Sequence, residues 1–231
     1  MVKQADVLVI VPHPDDAEFG AAGAVARLVK SGKTAAYVVC TKGDKGTSDR
    51  QMAPDKLAEI RQAEQREAAR ILGVSDVVFL GYPDQQLEYT LELRKQLVRL
   101  IRQYRPQTVF TVDPYQRYFW WHRDHRICGE VTMDAIFPYA RDHLAYPDLL
   151  DEGLEPHKVT ELLLMNAEEI NYRVDITEVW DAKLAALMAH KSQMEEMPAE
   201  RLEMFKQWSR ELAKDEDYEL GEGFHRIDMW W

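Results

Sequence analysis

The sequence lacks the features that mark several large classes of protein. It has only two cysteines in 231 residues, too few for a disulfide framework or a cysteine-rich zinc module. No run of apolar residues approaches the roughly 18 that a membrane-spanning helix needs. Basic residues are outnumbered, 29 Lys and Arg against 40 Asp and Glu, and the net charge of −11 gives no general attraction for nucleic acid or an anionic membrane.

Several catalytic and cofactor-binding motifs are also missing. The chain has no HExxH, no GxSxG and no GxxxxGK[ST] sequence, and Gly20 and Gly23 do not form part of a GxGxxG. The phosphate- and dinucleotide-binding loops of ATP and NAD enzymes therefore have no counterpart here.

The composition is that of a globular domain. With 46% hydrophobic and 30% charged residues, a chain of 231 residues buries about 70% of the surface that its unfolded form exposes. No linker-like tract divides the chain, so we expect a single domain over residues 1–231. Cys40 and Cys128 lie in apolar segments without metal-binding spacing, and the chain starts without a signal-peptide pattern, so we expect buried free thiols and a cytoplasmic protein.

Strand-like apolar runs alternate with helix-like segments along most of the sequence. Strands are predicted over 6–11, 34–41, 76–80, 108–112, 161–165 and 172–175. Helices are predicted over 17–31, 54–72, 91–104, 130–140 (with a start as early as His122), 178–190 and 199–213. This alternation predicts an α/β, Rossmann-like fold: a mostly parallel sheet with helices on both faces.

Histidines and carboxylates follow the predicted strands at the points where they end. His13-Pro14-Asp15-Asp16 follows the first strand, Tyr82-Pro83-Asp84 the third, and His122-Arg123-Asp124-His125 comes after the fourth. In open sheets of this kind, ligands bind beyond the carboxyl ends of the strands. These loops therefore predict a site.

The first loop has two interpretations. Pro14 can fix a turn in which Asp15 or Asp16 caps the following helix. That role does not account for two adjacent carboxylates beside His13, since their mutual repulsion is costly without a cation. A His and an Asp three positions apart can instead bind one divalent metal, which leaves the middle carboxylate close to the metal without binding it.

The second loop supplies a further ligand. His122 and His125 are three positions apart and share one face of a helix if the segment is helical. Either one, added to His13 and Asp16, gives two histidines and an aspartate with an open fourth position, as in catalytic zinc sites. The other histidine stays free for electrostatics or proton transfer, oriented by Asp124.

At these residues the sequence resembles the LmbE-like/PIG-L-like N-acetylglucosamine deacetylases, which are zinc-dependent. Residues 12–16 match the family's [AP]HPDD motif, and residues 122–125 match its HxDH motif. Weaker similarities extend over nearly the whole chain, at Glu18 and Gly20, at Arg61, Glu64 and 72–74, at Asp84, at 174–193 and at 222–226.

The resemblance implies a role for each site residue. His13, Asp16 and His125 would bind Zn²⁺, although carboxylate–imidazole sites also accept other divalent ions such as Fe²⁺. Asp15 would be the general base, and protonated His122 would stabilise the oxyanion with Asp124 behind it. Arg61 and Asp84 stand where the family contacts its sugar substrate.

The implied function is hydrolysis of the N-acetyl group of a small N-acetylglucosamine-type conjugate by metal-hydroxide attack on the amide. Two alternatives stay open: a zinc hydrolase acting on another amide or ester, and a non-catalytic carbohydrate-binding protein with a residual metal site. Activity on acetylated sugars rather than on simple esters would distinguish the implied function from the first alternative. An intact Asp15 argues against the second, because binding alone needs no base.

Two aromatic segments have no assigned role. Tyr115–Trp121 contains five aromatic residues in seven, which could form a wall beside the metal or pack as an ordinary loop or subunit contact. The terminal Met229-Trp230-Trp231 is expected to dock on the domain or on a neighbouring subunit of a homo-oligomer.

Overall fold

The computed structural model describes residues 3–116, 122–195 and 198–231. The strands in this part of the chain are β1 (Val7–Val11), β2 (Ala35–Thr41), β3 (Asp76–Tyr82), β4 (Thr108–Val112), β5 (Glu161–Met165), β6 (Tyr172–Asp175) and β7 (Gly221–Asp228). They form one sheet in the order β3-β2-β1-β4-β5-β7-β6. Neighbouring strands are parallel except at β7, which runs antiparallel to β5 and to β6.

The helices in the described residues are α1 (Asp16–Gly20), α2 (Ala22–Lys30), α3 (Pro54–Leu72), α4 (Leu91–Tyr104), α5 (Arg123–Asp134), α6 (Asp148–Asp151), α7 (Trp180–Met188), α8 (Lys191–Met194) and α9 (Ala199–Leu212). A 3₁₀ turn, Thr177–Val179, precedes α7, and a distorted helical segment, Ala135–Ala140, follows α5. None of these helices is long and apolar enough to cross a membrane.

The direction in which the strands are added explains where the helices lie. From β1 the chain adds β2 and β3 on one side, then returns to add β4 and β5 on the other. Right-handed crossovers in opposite directions place their helices on opposite faces of the sheet. Accordingly, α2, α3 and α7 pack together, and α4 packs with α5. The single-domain α/β fold is thus confirmed.

The centre of the sheet is its most buried part. β1 and β2 are buried along their whole length, and β1 is hydrogen-bonded to both β2 and β4. The strand order reverses between β1 and β4, and the crevice at such a point is where open α/β sheets bind ligands. The loops after β1 and β4 meet there.

Two predicted helices differ from the structure, and one observed strand was not predicted. The predicted helix 17–31 is two helices, because the chain turns at Ala21 (φ −144°) between α1 and α2. The predicted helix 130–140 begins at Arg123 instead, near the earlier start already considered, and its last part is distorted. The strand β7 was not predicted, since Gly221 and Gly223 weaken its local signal.

Candidate metal centre

The loop after β1 places three site residues in four positions. Asp15 has φ 100°, in the left-handed region, so the chain turns sharply before α1 starts at Asp16. The Asp15 carbonyl accepts a hydrogen bond from the Glu18 N–H at 2.9 Å, and the Asp15 N–H donates to Gln65 Oε1 at 2.9 Å. His13 and Asp15 are both more than nine-tenths buried, at 7% and 8% exposed.

The start of α5 places the second set of residues. His122 caps this helix, and its Nδ1 accepts a hydrogen bond from the Asp124 backbone N–H at 3.2 Å. A nitrogen that accepts from an N–H carries no proton, so this contact places the hydrogen of the His122 ring on Nε2 alone, whereas the family resemblance implied a ring protonated on both nitrogens. His125 lies one turn further along, on the same side of the helix.

The two sets of residues meet around His13. The Nδ1 atom of His13 lies 3.0 Å from Asp16 Oδ2, and Asp16 Oδ1 lies 3.4 Å from His125 Nε2. Ligand atoms of His13, His122 and His125 lie within 4.8 Å of one another, and those of His13, Asp84, His122 and Asp124 do so as well. These residues could therefore hold a metal ion.

Asp124 faces His13 rather than the His122 ring. One of its oxygens lies 3.1 Å from His13 Nε2 and accepts from the Gln85 N–H at 2.7 Å, and the other accepts from the Leu87 N–H at 3.2 Å. Asp124 is completely buried. The expected pairing of its carboxylate with the His122 ring is therefore replaced by a contact with the neighbouring histidine.

The charges around His13 fit a cation. Burial lowers the pKa of His13, but the nearby carboxylates of Asp124, Asp16 and Asp84 have the larger effect and raise it to about 12. Both ring nitrogens face carboxylates, whereas a neutral imidazole has only one N–H to give. The buried Asp84 Oδ1 lies 3.1 Å from His13 Nε2 but makes no well-aligned hydrogen bond with any residue that the structure describes. A divalent ion among these groups would satisfy them, and mixed imidazole and carboxylate donors suit a transition metal.

The two adjacent carboxylates differ in their electrostatics. Burial raises the pKa of Asp15 to about 6, although the Arg61 guanidinium, 3.1 Å away, opposes the shift. Burial also disfavours ionisation of Asp16, but His125 and His13 outweigh it and lower the pKa of Asp16. Asp15 can thus change its protonation state near neutral pH, whereas Asp16 stays ionised.

Arg61 and Asp84 are held by protein groups. The Arg61 guanidinium is 4% exposed and donates to the carbonyls of Pro14 at 2.7 Å, Gly43 at 3.1 Å and Lys45 at 3.2 Å. Asp84 Oδ1 lies 3.1 Å from His13 Nε2. Their expected contacts with a sugar stay predictions.

Polar residues behind the site were missed by the sequence analysis. Gln65 contacts Asp15 and the carboxylate of Glu18. His190 contacts the same carboxylate, although it lies 172 positions after Glu18 in the sequence. Gln65 lies one helical turn after Arg61, a spacing that could have marked it. His190 lies in the matched region 174–193 but gave no local sign of this contact.

Of the two aromatic segments, the structure describes Tyr115 and the C-terminal residues. Trp231 stacks on Phe137 with ring centroids 5.5 Å apart, so it docks on the domain, whereas Trp230 is 93% exposed. Tyr115 is 69% exposed. The rest of the aromatic loop, at 117–121, lies outside the described residues.

Comparison with known proteins gives concordant results. The profile of the family described as "PIG-L: GlcNAc-PI de-N-acetylase" matches residues 8–136. Diacetylchitobiose deacetylase of Thermococcus kodakarensis is 35% identical over 90% of this chain and 76% of that protein. A probable N-acetyl-alpha-D-glucosaminyl L-malate deacetylase 2 of Bacillus subtilis is 30% identical over 87% and 88% of the two chains. The structure of N,N'-diacetylchitobiose deacetylase from Pyrococcus horikoshii superimposes with a TM-score of 0.91 at 33% identity, over 97% of this chain and 84% of the other.

Proposed function

Because the chain belongs to the PIG-L family, we propose that it removes the N-acetyl group from a small N-acetylglucosamine conjugate at the His13–Asp16–His125 centre. The chain is a deacetylase, an amide hydrolase that acts on N-acetyl groups rather than peptide bonds. One observation carries the proposal. Asp15 is a buried carboxylate whose pKa burial raises to about 6, and its neighbour in the chain, Asp16, contacts two histidines.

The unit shared by the relatives' substrates defines the substrate class. Two similar proteins are named for diacetylchitobiose and a third for an N-acetylglucosaminyl malate. Their common part is N-acetylglucosamine, joined to another sugar or to a small acid. N,N'-diacetylchitobiose is the first compound to test.

The contacts of the two edges of the His13 ring support the proposed metal ligands. Its Nδ1 edge faces Asp16, which also faces Nε2 of His125, whereas its Nε2 edge faces Asp84 and Asp124. A metal on the Asp16 side leaves Nε2–H free to donate to Asp124, the arrangement usual for a metal-binding histidine. Two histidines and one aspartate with an open position favour zinc.

A metal held by His13, Asp16 and His125 would supply Lewis-acid chemistry, since it would polarise the amide carbonyl and lower the pKa of a water molecule. Asp15 accepts the proton of the attacking water, a task for which a pKa near the working pH is well suited. Arg61 holds the Asp15 carboxylate in place from 3.1 Å. His122 donates from Nε2–H to the carbonyl oxygen as it gains negative charge.

Cleavage then completes the proton transfer. The water oxygen is bonded to the acetyl carbon, the C–N bond breaks, and the proton on Asp15 passes to the leaving amine nitrogen. The products are acetic acid, which ionises to acetate in solution, and a free amino sugar, and Asp15 returns to its ionised form.

The test is release of acetate and a primary amine from N,N'-diacetylchitobiose. Protein stripped with a chelator and reloaded with zinc or Fe²⁺ is compared with the stripped protein. Each is also assayed with a simple ester, p-nitrophenyl acetate, to test the alternative of an esterase. Turnover of the sugar that depends on metal supports the proposal. Metal-replete protein that cleaves only the ester, or neither compound, contradicts it.

The proposal also includes a cytoplasmic location. Cys40 and Cys128 are buried and free, with their sulfur atoms 3.8 Å apart. Adjacent unpaired thiols are typical of a reducing compartment.

A further inference from the structure

A buried chain of polar side chains lies behind Asp15 and has no part in the chemistry described above. It consists of Gln65 on α3, Glu18 on α1 and His190, which precedes α8, and each of the three is completely buried. Gln65 Nε2 donates to both Glu18 oxygens, at 3.1 and 3.0 Å, and His190 Nε2 lies 3.0 Å from Glu18 Oε2. The chain ends at the Asp15 N–H, which donates to Gln65 Oε1 at 2.9 Å.

These contacts fix the orientation of the Gln65 amide. Its NH₂ group must face the Glu18 carboxylate, which accepts hydrogen bonds, and its oxygen must face the Asp15 N–H, which donates one. Turning the amide over would leave two acceptors facing each other on one side and two donors on the other. The carboxylate of Glu18, itself held by His190, thus selects the orientation that binds Asp15.

Asp15 needs such a contact because of its backbone conformation. A φ of 100° is rarely adopted by an L-residue and persists only where the surroundings enforce it. Gln65 holds the N–H of Asp15, and Arg61 holds its carboxylate. Arg61 and Gln65 are four positions apart on α3, so one face of this helix holds both ends of the residue.

We propose that Gln65, oriented by Glu18 and His190, is a positioning residue that holds Asp15 in the conformation from which it accepts the proton. This inference rests on the proposed role of Asp15. Gln65 does not contact the metal-binding histidines, so its loss should misplace the base and leave the metal and the substrate contacts in place.

The first test is Gln65→Met, which keeps the length of the side chain and removes both hydrogen-bonding groups. We expect unchanged metal content, unchanged KM and a kcat about 10- to 100-fold lower, the usual result of a small displacement of a catalytic group. The amide hydrogen of Asp15 should also exchange with solvent faster, which NMR measures without substrate.

Two controls separate positioning from stability. Gln62→Met makes the same change on the same helix without contacting Asp15, and should leave kcat unchanged. Leu72→Ala on α3 removes buried apolar volume, and shows what a loss of Tm alone does to kcat. A fall in kcat for Gln65→Met beyond that of Leu72→Ala at equal loss of Tm supports positioning.

An exchange of groups provides a rescue. Gln65→Glu alone places two carboxylates against each other and should be impaired. In Glu18→Gln combined with Gln65→Glu, the new carboxylate accepts from Asp15 and from the new amide, whose oxygen accepts from His190. The double variant should recover kcat and slow exchange of the Asp15 amide.

Wild-type kcat and unchanged Asp15 amide exchange in Gln65→Met would overturn the inference, as would a double variant no better than Gln65→Glu. A metal-replete wild-type protein without deacetylase activity would instead contradict the proposed function. In that case the exchange measurement still decides whether Gln65 holds Asp15.

Discussion

Asp15 and Asp16 are neighbours in the chain, yet their carboxylates face different partners. Asp15 is held by Arg61, whereas Asp16 contacts His13 and His125. The left-handed conformation of Asp15 separates them, because it turns the chain between the two side chains. Two residues of one type can therefore take two tasks, proton transfer and metal binding.

Asp15→Asn tests the first task. The substitution keeps the shape of the side chain and removes its ability to accept a proton. We expect full metal content and a kcat lower by about 10²–10⁴, or about 3–5 kcal/mol in the barrier, the usual contribution of a general base. Near-normal turnover by the metal-replete variant would remove Asp15 from this role.

Metal analysis tests the second task. We expect about one zinc per chain, lost in His13→Ala, Asp16→Ala and His125→Ala, because each substitution removes one of the three proposed protein ligands. His122→Ala should keep the metal and lose kcat. The three-histidine cluster makes the opposite result informative: if His122→Ala loses the metal while Asp16→Ala keeps it, the three histidines are the ligands.

The pH dependence of kcat/KM follows from Asp15. The base must be ionised, so activity should fall as pH decreases through its pKa, which burial raises to about 6. A bound cation favours the ionised carboxylate, so we expect the acidic limb at or below that value. Profiles of kcat/KM against pH for the wild type and for Asp15→Asn test this assignment, since an acidic limb that survives the substitution belongs to another group.

Sequence predicted which residues converge at the site but not all of their partners. His13, Asp16 and His125 were found because each lies in a short motif next to a strand end. The contact of Asp124 with His13 was not predictable, because it depends on how the loop carrying Gln85 packs against the start of α5.

Among the elements, α5 depends on close packing against the end of β4. A Cβ added at Gly129 would lie 2.3 Å from the Val112 carbonyl oxygen and 2.9 Å from Pro114 Cδ. Only glycine allows this approach, and α5 carries His125 one turn before it. The separation between helix and strand therefore also sets the position of His125, a proposed metal ligand.

Gly129→Ala should displace α5. We expect a loss of about 1–3 kcal/mol in the free energy of unfolding, typical of overpacking, together with weaker zinc binding. Glu130→Ala, at an exposed position of the same helix, is the control. Thermal denaturation and metal titration measure the two effects, and a Gly129→Ala protein with wild-type affinity for zinc would show that α5 tolerates the shift.

Element boundaries were predictable where local chemistry defines them. The helix α3 begins at Pro54 and ends before Gly73, whose φ of 76° gives a left-handed cap, and both bounds agree with the prediction. The strand β7 has no such signal. Its hydrogen bonds go to β5 and β6, far back in the sequence, and short-range patterns do not record pairings of this kind.

At the scale of the whole molecule, the alternation of strands and helices was enough to predict the fold class. Strands of a parallel sheet that helices cover on both faces appear as continuous apolar runs, and such runs recur between helical segments along most of the chain. The place of β7 between β5 and β6 was not predictable from this pattern. It brings Glu222 to the start of α2, where the carboxylate accepts from the Gly23 and Ala24 N–H groups at 2.8 and 2.7 Å.

Lys183 completes this junction between the last strand and the rest of the fold. Its ammonium group lies 2.6 Å from Glu222 Oε1 and donates to the Phe19 carbonyl at 3.1 Å, and both charged side chains are more than nine-tenths buried. Removing one member of a buried pair leaves the other charge without a partner, which costs about 3–5 kcal/mol. Lys183→Met should therefore lower the free energy of unfolding by about this amount.

The matched comparison is Lys183→Met combined with Glu222→Gln. The second change removes the unpaired charge and keeps one acceptor for the α2 N–H groups, so the double variant should be more stable than Lys183→Met. Lys30→Met, which breaks the exposed pair with Glu178, should change stability far less. Urea denaturation measures all three. If Lys183→Met unfolds like Lys30→Met, the buried Lys183–Glu222 pair does not stabilise the fold.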